Sequence, residues 1–138
     1  MSVIPNKING VLIEFSPNVN RNVDQKIIEG LKLVIKNTIA KGYFLNKIYI
    51  SSANDQHKIP SRHVQGQGKA VDISRINGMK MAIFYPSSPP VKAITDAIQT
   101  EFEKYKDKRE NFGPLFKKKL GKDKAISGHG DHIHFSVN

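Results

Sequence analysis

The sequence predicts an α+β fold in which two main helices pack on a small antiparallel sheet. Short segments carry the β-branched and aromatic alternation of strands, while two longer segments repeat their apolar residues at helical spacing. The chain has 138 residues, the usual size of one domain, and no internal repeat or linker divides it. We therefore expect residues 1–138 to form a single domain.

The first part of the chain contains a predicted strand and a predicted helix. Val11–Phe15 is a short apolar run that ends in a polar loop, which predicts a strand. From Asn22 or Asp24 to about Ala40 the apolar residues recur at helical spacing, and Gly42 follows as a stop signal. A first helix is expected over this segment.

The middle of the chain is expected to form strands and a hairpin. Lys47–Ser51 alternates β-branched and aromatic residues, and Ala70–Ile73 is another short candidate strand. An Asn-Gly pair at positions 77 and 78 is typical of a hairpin turn. The segments on either side of it, Ile73–Ile76 and Met79–Tyr85, are therefore expected to pair.

The last part of the chain supplies the second main helix and a closing strand. A Pro-Pro pair at positions 89 and 90 opens a segment with helical apolar spacing as far as Phe102, after which Lys104–Arg109 is strongly basic. Phe112–Lys124 mixes Gly, Pro and a run of three lysines, which predicts a loop with at most one helical turn. His132–Val137 is expected to close the chain as a strand.

The composition limits the chemistry that is available. The chain has no cysteine, which excludes disulfides, a thiolate zinc site and a cysteine nucleophile, so any metal must be held by His, Asp or Glu. The formal charge of +10 favours an anionic partner such as nucleic acid, anionic lipid or the anionic polymers of a bacterial wall. Because no nucleic-acid motif is present and few aromatic residues lie among the lysines, no nucleic-acid partner is expected.

The start of the chain bears on where the protein acts. Met1–Gly10 lacks the basic start, apolar stretch and cleavage site of a secretory signal, and no apolar run is long enough to cross a bilayer. We expect synthesis in the cytoplasm without a signal peptide, no membrane insertion, and a monomer as the default state.

Four of the five histidines are concentrated in two short segments that also contain aspartates. The four histidines are His63, His129, His132 and His134, and the aspartates are Asp72 and Asp131; the fifth histidine, His57, lies just upstream. Side chains two positions apart in a strand project to the same face, so His132 and His134 are expected to project together. Two imidazoles on one face of a strand suit a metal site, and this site would lie on the sheet.

A catalytic zinc site matches this set of residues. Such a zinc usually has three protein ligands and an open position for water, whose pKa falls to roughly 7 when it is bound. His63, Asp72 and His134 can supply three ligands. A base beside the metal must take the proton of the water, and Asp131 and His132 are the candidates.

Three segments of this region carry a resemblance to a known family. The family pattern begins with Ser-x-His, followed by a Gly and then Ala-hydrophobic-Asp; Ser61–His63 and Gly68–Asp72 match it. Near its end the family has either an acidic residue three positions before a ligand His or an His-x-His pair, and Asp131–His134 matches both. From about Ile50 to the C-terminus the chain resembles the zinc D-alanyl-D-alanine carboxypeptidases and L-alanyl-D-glutamate endopeptidases. These enzymes are structurally akin to lysostaphin-type enzymes and hedgehog domains.

The resemblance implies a role for each matching residue. His63, Asp72 and His134 would bind Zn²⁺, and Asp131 would be the base. His132 would face the substrate and help to stabilise the oxyanion. Further candidates for substrate contacts are Ser61, Arg62, His57 and His129.

The chain departs from the family pattern in two places. Two more residues than usual separate His63 from Gly68, so His57 is an alternative first ligand if the loop does not bulge to absorb them. A Tyr-Arg pair that seats a substrate carboxylate in wall carboxypeptidases is missing around Ser51–Asn54. Endopeptidase activity is therefore favoured over D,D-carboxypeptidase activity.

The resemblance implies a zinc metallopeptidase that hydrolyses stem peptides of bacterial peptidoglycan, with metal-bound water as the nucleophile. Without a secretory signal, such an enzyme is expected to be a phage endolysin or a virion-associated protein that acts on the cell wall. The first alternative is a non-catalytic zinc-containing module of the same fold that binds wall or protein. The second is a basic nucleic-acid-binding domain.

Overall fold

The computed structural model describes residues 1–54 and 67–138, and over these ranges the chain has an α+β fold with mixed sheets and three helices. The helices are α1 (Gln25–Val34), α2 (Met81–Phe84) and α3 (Pro89–Phe102). The strands are β1 (Ser2–Val3), β2 (Lys7–Ile8), β3 (Val11–Phe15), β4 (Asn22–Val23), β5 (Lys47–Ser52), β6 (Ala70–Ile76), β7 (Met79–Lys80), β8 (Lys108–Phe112), β9 (Lys117–Lys119), β10 (Lys122–Asp123) and β11 (Ile133–Val137). None of the helices in these ranges is long and apolar enough to cross a bilayer.

The main sheet is mixed, so the prediction of an antiparallel sheet was wrong in one respect. Its strands lie in the order β10-β9-β8-β11-β6-β5-β3-β2, with β7 paired to β6, while β1 and β4 form a separate two-stranded sheet. Strands β3 and β5 are parallel, and the other pairings are antiparallel. A parallel pair needs a crossover, and the connection that contains α1 provides it.

Helix α1 is shorter than its apolar pattern predicts. It ends at Val34 instead of near Ala40, because Ile35 turns into an extended conformation. The side-chain amide of Asn9 donates to the carbonyl oxygens of Lys32, at 2.9 Å, and Ile35, at 3.1 Å. Asn9, which is distant in sequence, thus donates the hydrogen bonds that backbone amides would have supplied to these carbonyl groups if the helix had continued.

The predicted hairpin at positions 77 and 78 is present, but its second arm is short. Asn77 and Gly78 have φ angles of 52° and 79°, the left-handed conformation that a type I′ turn requires at both central residues. Only Met79 and Lys80 pair with β6, and the chain then enters helix α2 instead of continuing as a strand to Tyr85.

The predicted loop at Phe112–Lys124 instead contains the hairpin of β9 and β10, which pairs with β8 as the antiparallel end of the sheet. The turn between β9 and β10 has Leu120 and Gly121 at φ angles of 52° and 78°. Strands β9 and β10 lack apolar alternation because neither has a buried residue, and alternation marks strands with one buried face. Strand β11 begins at Ile133, one residue later than expected.

Helix α3 packs against both α1 and β11. The Phe102 ring stacks on the Phe135 ring at a centroid distance of 3.8 Å. A Cβ at Gly30 of α1 would lie 3.1 Å from ring carbons of both Phe102 and Tyr105, so the absence of a side chain permits this close approach. The contact with Phe135 supports the strand that carries His134.

Candidate metal centre

Asp72 and His134 lie directly opposite each other on the neighbouring strands β6 and β11. The Oδ1 atom of Asp72 and the Nδ1 atom of His134 are 2.9 Å apart, and the two side chains are only 15% and 10% exposed. Residues that face each other in an antiparallel pair project to the same side of the sheet. The strand register therefore joins two predicted ligands that are 62 positions apart in the sequence.

A second carboxylate, which the sequence analysis missed, holds the other side of the His134 ring. The Oε1 atom of Glu110, on β8, is 3.0 Å from Nε2 of His134. The Ser136 hydroxyl donates to the same Oε1 at 2.8 Å and accepts from the Glu110 backbone amide at 3.0 Å. No sequence signal marked Glu110, because β8 was not predicted as a strand.

These contacts set the charges of the group. Burial by itself would lower the pKa of His134, but hydrogen bonds to Asp72 and Glu110 outweigh burial and raise that pKa to about 9. Burial would raise the pKa of Glu110, whereas its hydrogen bonds with His134 and Ser136 lower that pKa to about 2. In the metal-free protein near neutral pH, an imidazolium therefore lies between two carboxylates.

His129, predicted only as a candidate for substrate contacts, lies close to both His132 and His134. Its ring centroid is 5.0 Å from that of His132 and 5.7 Å from that of His134. A positive φ of 65° at His129, next to Gly128 at 80°, turns the ring into this position. Burial and the neighbouring imidazoles lower the pKa of His129, which favours its neutral form.

Phe112 forms an apolar wall beside these imidazoles. It lies directly opposite His134 across the β8–β11 pair, and the two rings stack at a centroid distance of 5.6 Å with an interplanar angle of 17°. Its centroid is 5.2 Å from that of His129. Phe112 therefore limits the access of water to both rings.

No protein-family model, curated protein or solved structure matches the chain. The chemistry of these side chains therefore carries the functional inference.

The other predicted site residues fall into two groups. His57, Ser61, Arg62 and His63 lie outside the residues that the structure describes. Asp131 and His132 precede β11, with Oδ1 of Asp131 and Nδ1 of His132 at 2.6 Å. The Asp131 side chain is 66% exposed, and the hydrogen bond to His132 lowers its pKa.

The donor atoms of Asp72 and His134 suit zinc, which binds carboxylate oxygen and imidazole nitrogen. Two ligand atoms at zinc bond lengths in a tetrahedral site lie about 3.4 Å apart, so the observed 2.9 Å needs little opening. Within residues 1–54 and 67–138, no group of three His, Asp or Glu residues is arranged to hold a metal. The described ranges thus bring together two of the three expected ligands.

A buried nitrogen without a partner adds to this fit. The Nδ1 atom of His129 is buried and has no hydrogen-bond partner in the described part of the chain. Burying such an atom costs free energy unless a donor, a water molecule or an ion satisfies it. The imidazole lies beside His134, and a weak interaction with the Ser127 backbone is the only other polar contact of this ring among the described residues.

Proposed function

We propose that the chain is a zinc-dependent peptidase that hydrolyses peptide bonds in the stem peptides of bacterial peptidoglycan, as an endopeptidase. One observation carries the proposal: the buried in-register pair of Asp72 and His134, with Glu110 behind the imidazole. A histidine ligand whose second ring nitrogen is held by a carboxylate is a common arrangement in zinc sites. The resemblance of Gly68–Asp72 and Asp131–His134 to wall peptidases supports the substrate class.

In this proposal the zinc would be held by His63, Asp72 and His134. Glu110 engages Nε2 of His134, while Nδ1 points to Asp72, so Nδ1 is the nitrogen that would bind the metal. When bound, zinc would lower the pKa of a water molecule and polarise the peptide carbonyl.

Asp131 would take up a proton during the reaction. Its pKa is lowered by the hydrogen bond to His132, so the carboxylate is ionised near neutral pH, and its exposure allows contact with water. His132 lies within 2.6 Å of this carboxylate and can orient it or donate to a developing oxyanion. His132 remains the alternative base.

Phe112 and His129 would line the site next to the metal without donating or accepting protons in the reaction. The Phe112 ring covers one side of the His134 imidazole and reduces the local exposure to water. Electrostatic interactions are stronger where water is excluded, which favours stabilisation of charge in the transition state. The lowered pKa of His129 keeps its ring neutral beside the two other imidazoles.

The direct test combines metal analysis with digestion of purified peptidoglycan. We expect near-stoichiometric zinc in the purified protein and release of new amino groups that a chelator abolishes and added zinc restores. Zinc without cleavage would favour a non-catalytic wall- or protein-binding module. Absence of metal from protein supplied with zinc would refute the proposal.

A further inference from the structure

The β9–β10 hairpin extends the face of the sheet that carries Asp72 and His134. Phe112 of β8 lies opposite His134 on one side and opposite Lys117 of β9 on the other. Glu110 of β8 lies opposite Lys119 in the same way. Because directly opposite residues project to the same side, Lys117 and Lys119 are on the face of the metal centre.

The next strand, β10, and the residue after it add two more lysines to that face. Lys119 lies opposite Lys122, and the amide of Lys124 donates to the carbonyl of Lys117 at 2.9 Å, which continues the same register. These four residues are here called the site-face lysines. They belong to a segment, residues 117–124, with five lysines and one aspartate.

The opposite face of the hairpin has a different composition. Lys118 lies opposite Asp123, and its Nζ atom is 4.9 Å from the centroid of the Phe116 ring. A lysine facing a carboxylate and an aromatic ring is stabilised locally. On the face of the metal centre, by contrast, four lysines lie beside a single carboxylate of the neighbouring strand, that of Glu110 opposite Lys119, so positive charge is in excess on that part of the face.

The excess of positive charge on this face lowers the stability of the hairpin. Like charges directly opposite each other in an antiparallel pair are destabilising, and this hairpin contains two such pairs. In the described ranges, none of the site-face lysines forms an ion pair with a carboxylate within 4.0 Å. An anion on this face would relieve the repulsion.

We propose that the site-face lysines bind the carboxylate groups of an acidic peptide whose scissile bond lies at the metal centre. This inference rests on the proposed peptidase function and adds a requirement for charge in the substrate. Stem peptides of peptidoglycan carry free carboxylates. Lysine provides a compact positive charge with three donors, which suits carboxylates at variable positions.

The distances along the sheet agree with a peptide of this kind. Lys117 is two strands away from His134, or about 10 Å at the usual spacing of strands. Lys124 is three strands away, or about 14 Å. An extended peptide covers that range in about three to four residues, so a carboxylate near the cleaved bond can reach the hairpin.

Paired substrates and matched variants test the proposal. The zinc-loaded full chain is titrated with a fluorescent five-residue stem peptide that has free carboxylates, and with the same peptide after conversion of those groups to amides. Binding is followed by anisotropy, and cleavage is followed separately. The variants are Lys119→Gln, Lys122→Gln and, as the control on the opposite face, Lys118→Gln.

We expect the natural sequence to bind the carboxylate peptide about tenfold more tightly than the amide. Lys119→Gln and Lys122→Gln should each lose about three- to tenfold of this preference, and Lys118→Gln should keep it. Neither site-face variant is expected to unfold, because each removes one side of a repulsive pair. Lys119→Gln also removes the positive charge opposite Glu110, so Lys122→Gln, which does not face Glu110, is the cleaner of the two variants. The preference should fall as salt rises from about 50 to 500 mM.

The other outcomes overturn the inference, and they separate it from the proposed function. Equal binding of both peptides, binding of neither, or an equal loss in Lys118→Gln would refute a carboxylate site on this face. Cleavage without a preference for the carboxylate peptide would support the peptidase function and refute the lysine site. A preference without cleavage would keep the anion site and count against the peptidase. Stronger binding of a short single-stranded DNA through Lys119 and Lys122 would assign the surface to nucleic acid.

Discussion

The Nδ1 atom of His134 lies 2.9 Å from the Oδ1 atom of Asp72, across a directly opposed pair of residues in an antiparallel ladder. Backbone hydrogen bonds on both strands determine this proximity, so it does not depend on a flexible loop. Functional groups on strands are held more precisely than those on loops. The pair is therefore a preorganised part of the proposed centre.

Removing a ligand and removing the base should have different effects. His63→Ala and His134→Ala are each expected to lose zinc and activity together. Asp131→Asn should keep zinc and lose about 10²- to 10⁴-fold in turnover. Metal content and peptide hydrolysis are measured on the same preparations, with Asp123→Asn as a control at an exposed carboxylate. Full activity in Asp131→Asn would move the role of base to His132.

Glu110→Gln should weaken zinc binding without removing a ligand. The neutral amide would no longer hold Nε2 of His134 as a carboxylate does, and loss of such a partner typically costs about 10- to 100-fold in metal affinity. Zinc affinity is measured by competition with a chelating dye above about pH 9, where the His134 ring is neutral and no proton competes with the metal. Glu14→Gln, on strand β3 and paired with Lys47 instead of a site residue, is the control. An unchanged affinity would show that Glu110 does not orient the ligand.

Zinc affinity should increase with pH up to about pH 9. The pKa of His134 is raised from 6.5 to about 9, so the metal-free protein gains stability from the protonated ring below about pH 6.5 and loses it as the pH rises through 9. Zinc must displace this proton, and titration calorimetry in two buffers should detect its release. A histidine with an ordinary pKa would cease to contribute by about pH 7.5. An affinity that stops rising there would contradict the assigned role of His134.

Leu120→Asn should stabilise the β9–β10 hairpin. Leu120 has a φ of 52°, a conformation that costs a branched residue roughly 1 kcal/mol and that asparagine adopts more readily. We expect a gain of about 0.5–1 kcal/mol in the free energy of unfolding, measured with urea. Leu115→Asn, outside the turn, serves as the comparison and should not be stabilising. A destabilised Leu120→Asn would mean that its apolar contacts matter more than its backbone conformation.

Gln99→Met should destabilise the protein, because Gln99 of α3 holds β8 and the segment after it by hydrogen bonds. The Nε2 atom of buried Gln99 donates to Oδ1 of Asn111 and to the carbonyl of Phe116, each at 3.0 Å, and its Oε1 accepts from the amide of Leu115 at 3.1 Å. Methionine would leave these partners unsatisfied, at a cost of about 2–4 kcal/mol. Gln25→Met on the exposed face of α1 should change stability by less than about 0.5 kcal/mol. Equal urea midpoints for the two variants would exclude a supporting role for Gln99.

Local pattern predicted the elements that have a buried face or a specific turn residue. Strand β3 and helix α3 follow their apolar periods, and the turn at Asn77 follows from the left-handed conformation that Asn and Gly accept. The end of α1 was mispredicted because Asn9, which pairs with its last carbonyls, is distant in sequence. Strands β8, β9 and β10 were missed because a Lys-rich edge has no apolar alternation.

The sequence by itself determined the chemical types of the candidate site, since zinc requires nitrogen and oxygen donors and a chain without cysteine can offer only His, Asp and Glu. It also singled out Asp72 and His134 by their local motifs. Only the tertiary structure decided that these two side chains meet, that Glu110 holds the far side of the imidazole, and that four lysines share their face of the sheet. The physical reason is strand register: pairing between distant segments decides which side chains face each other, and no local pattern encodes it.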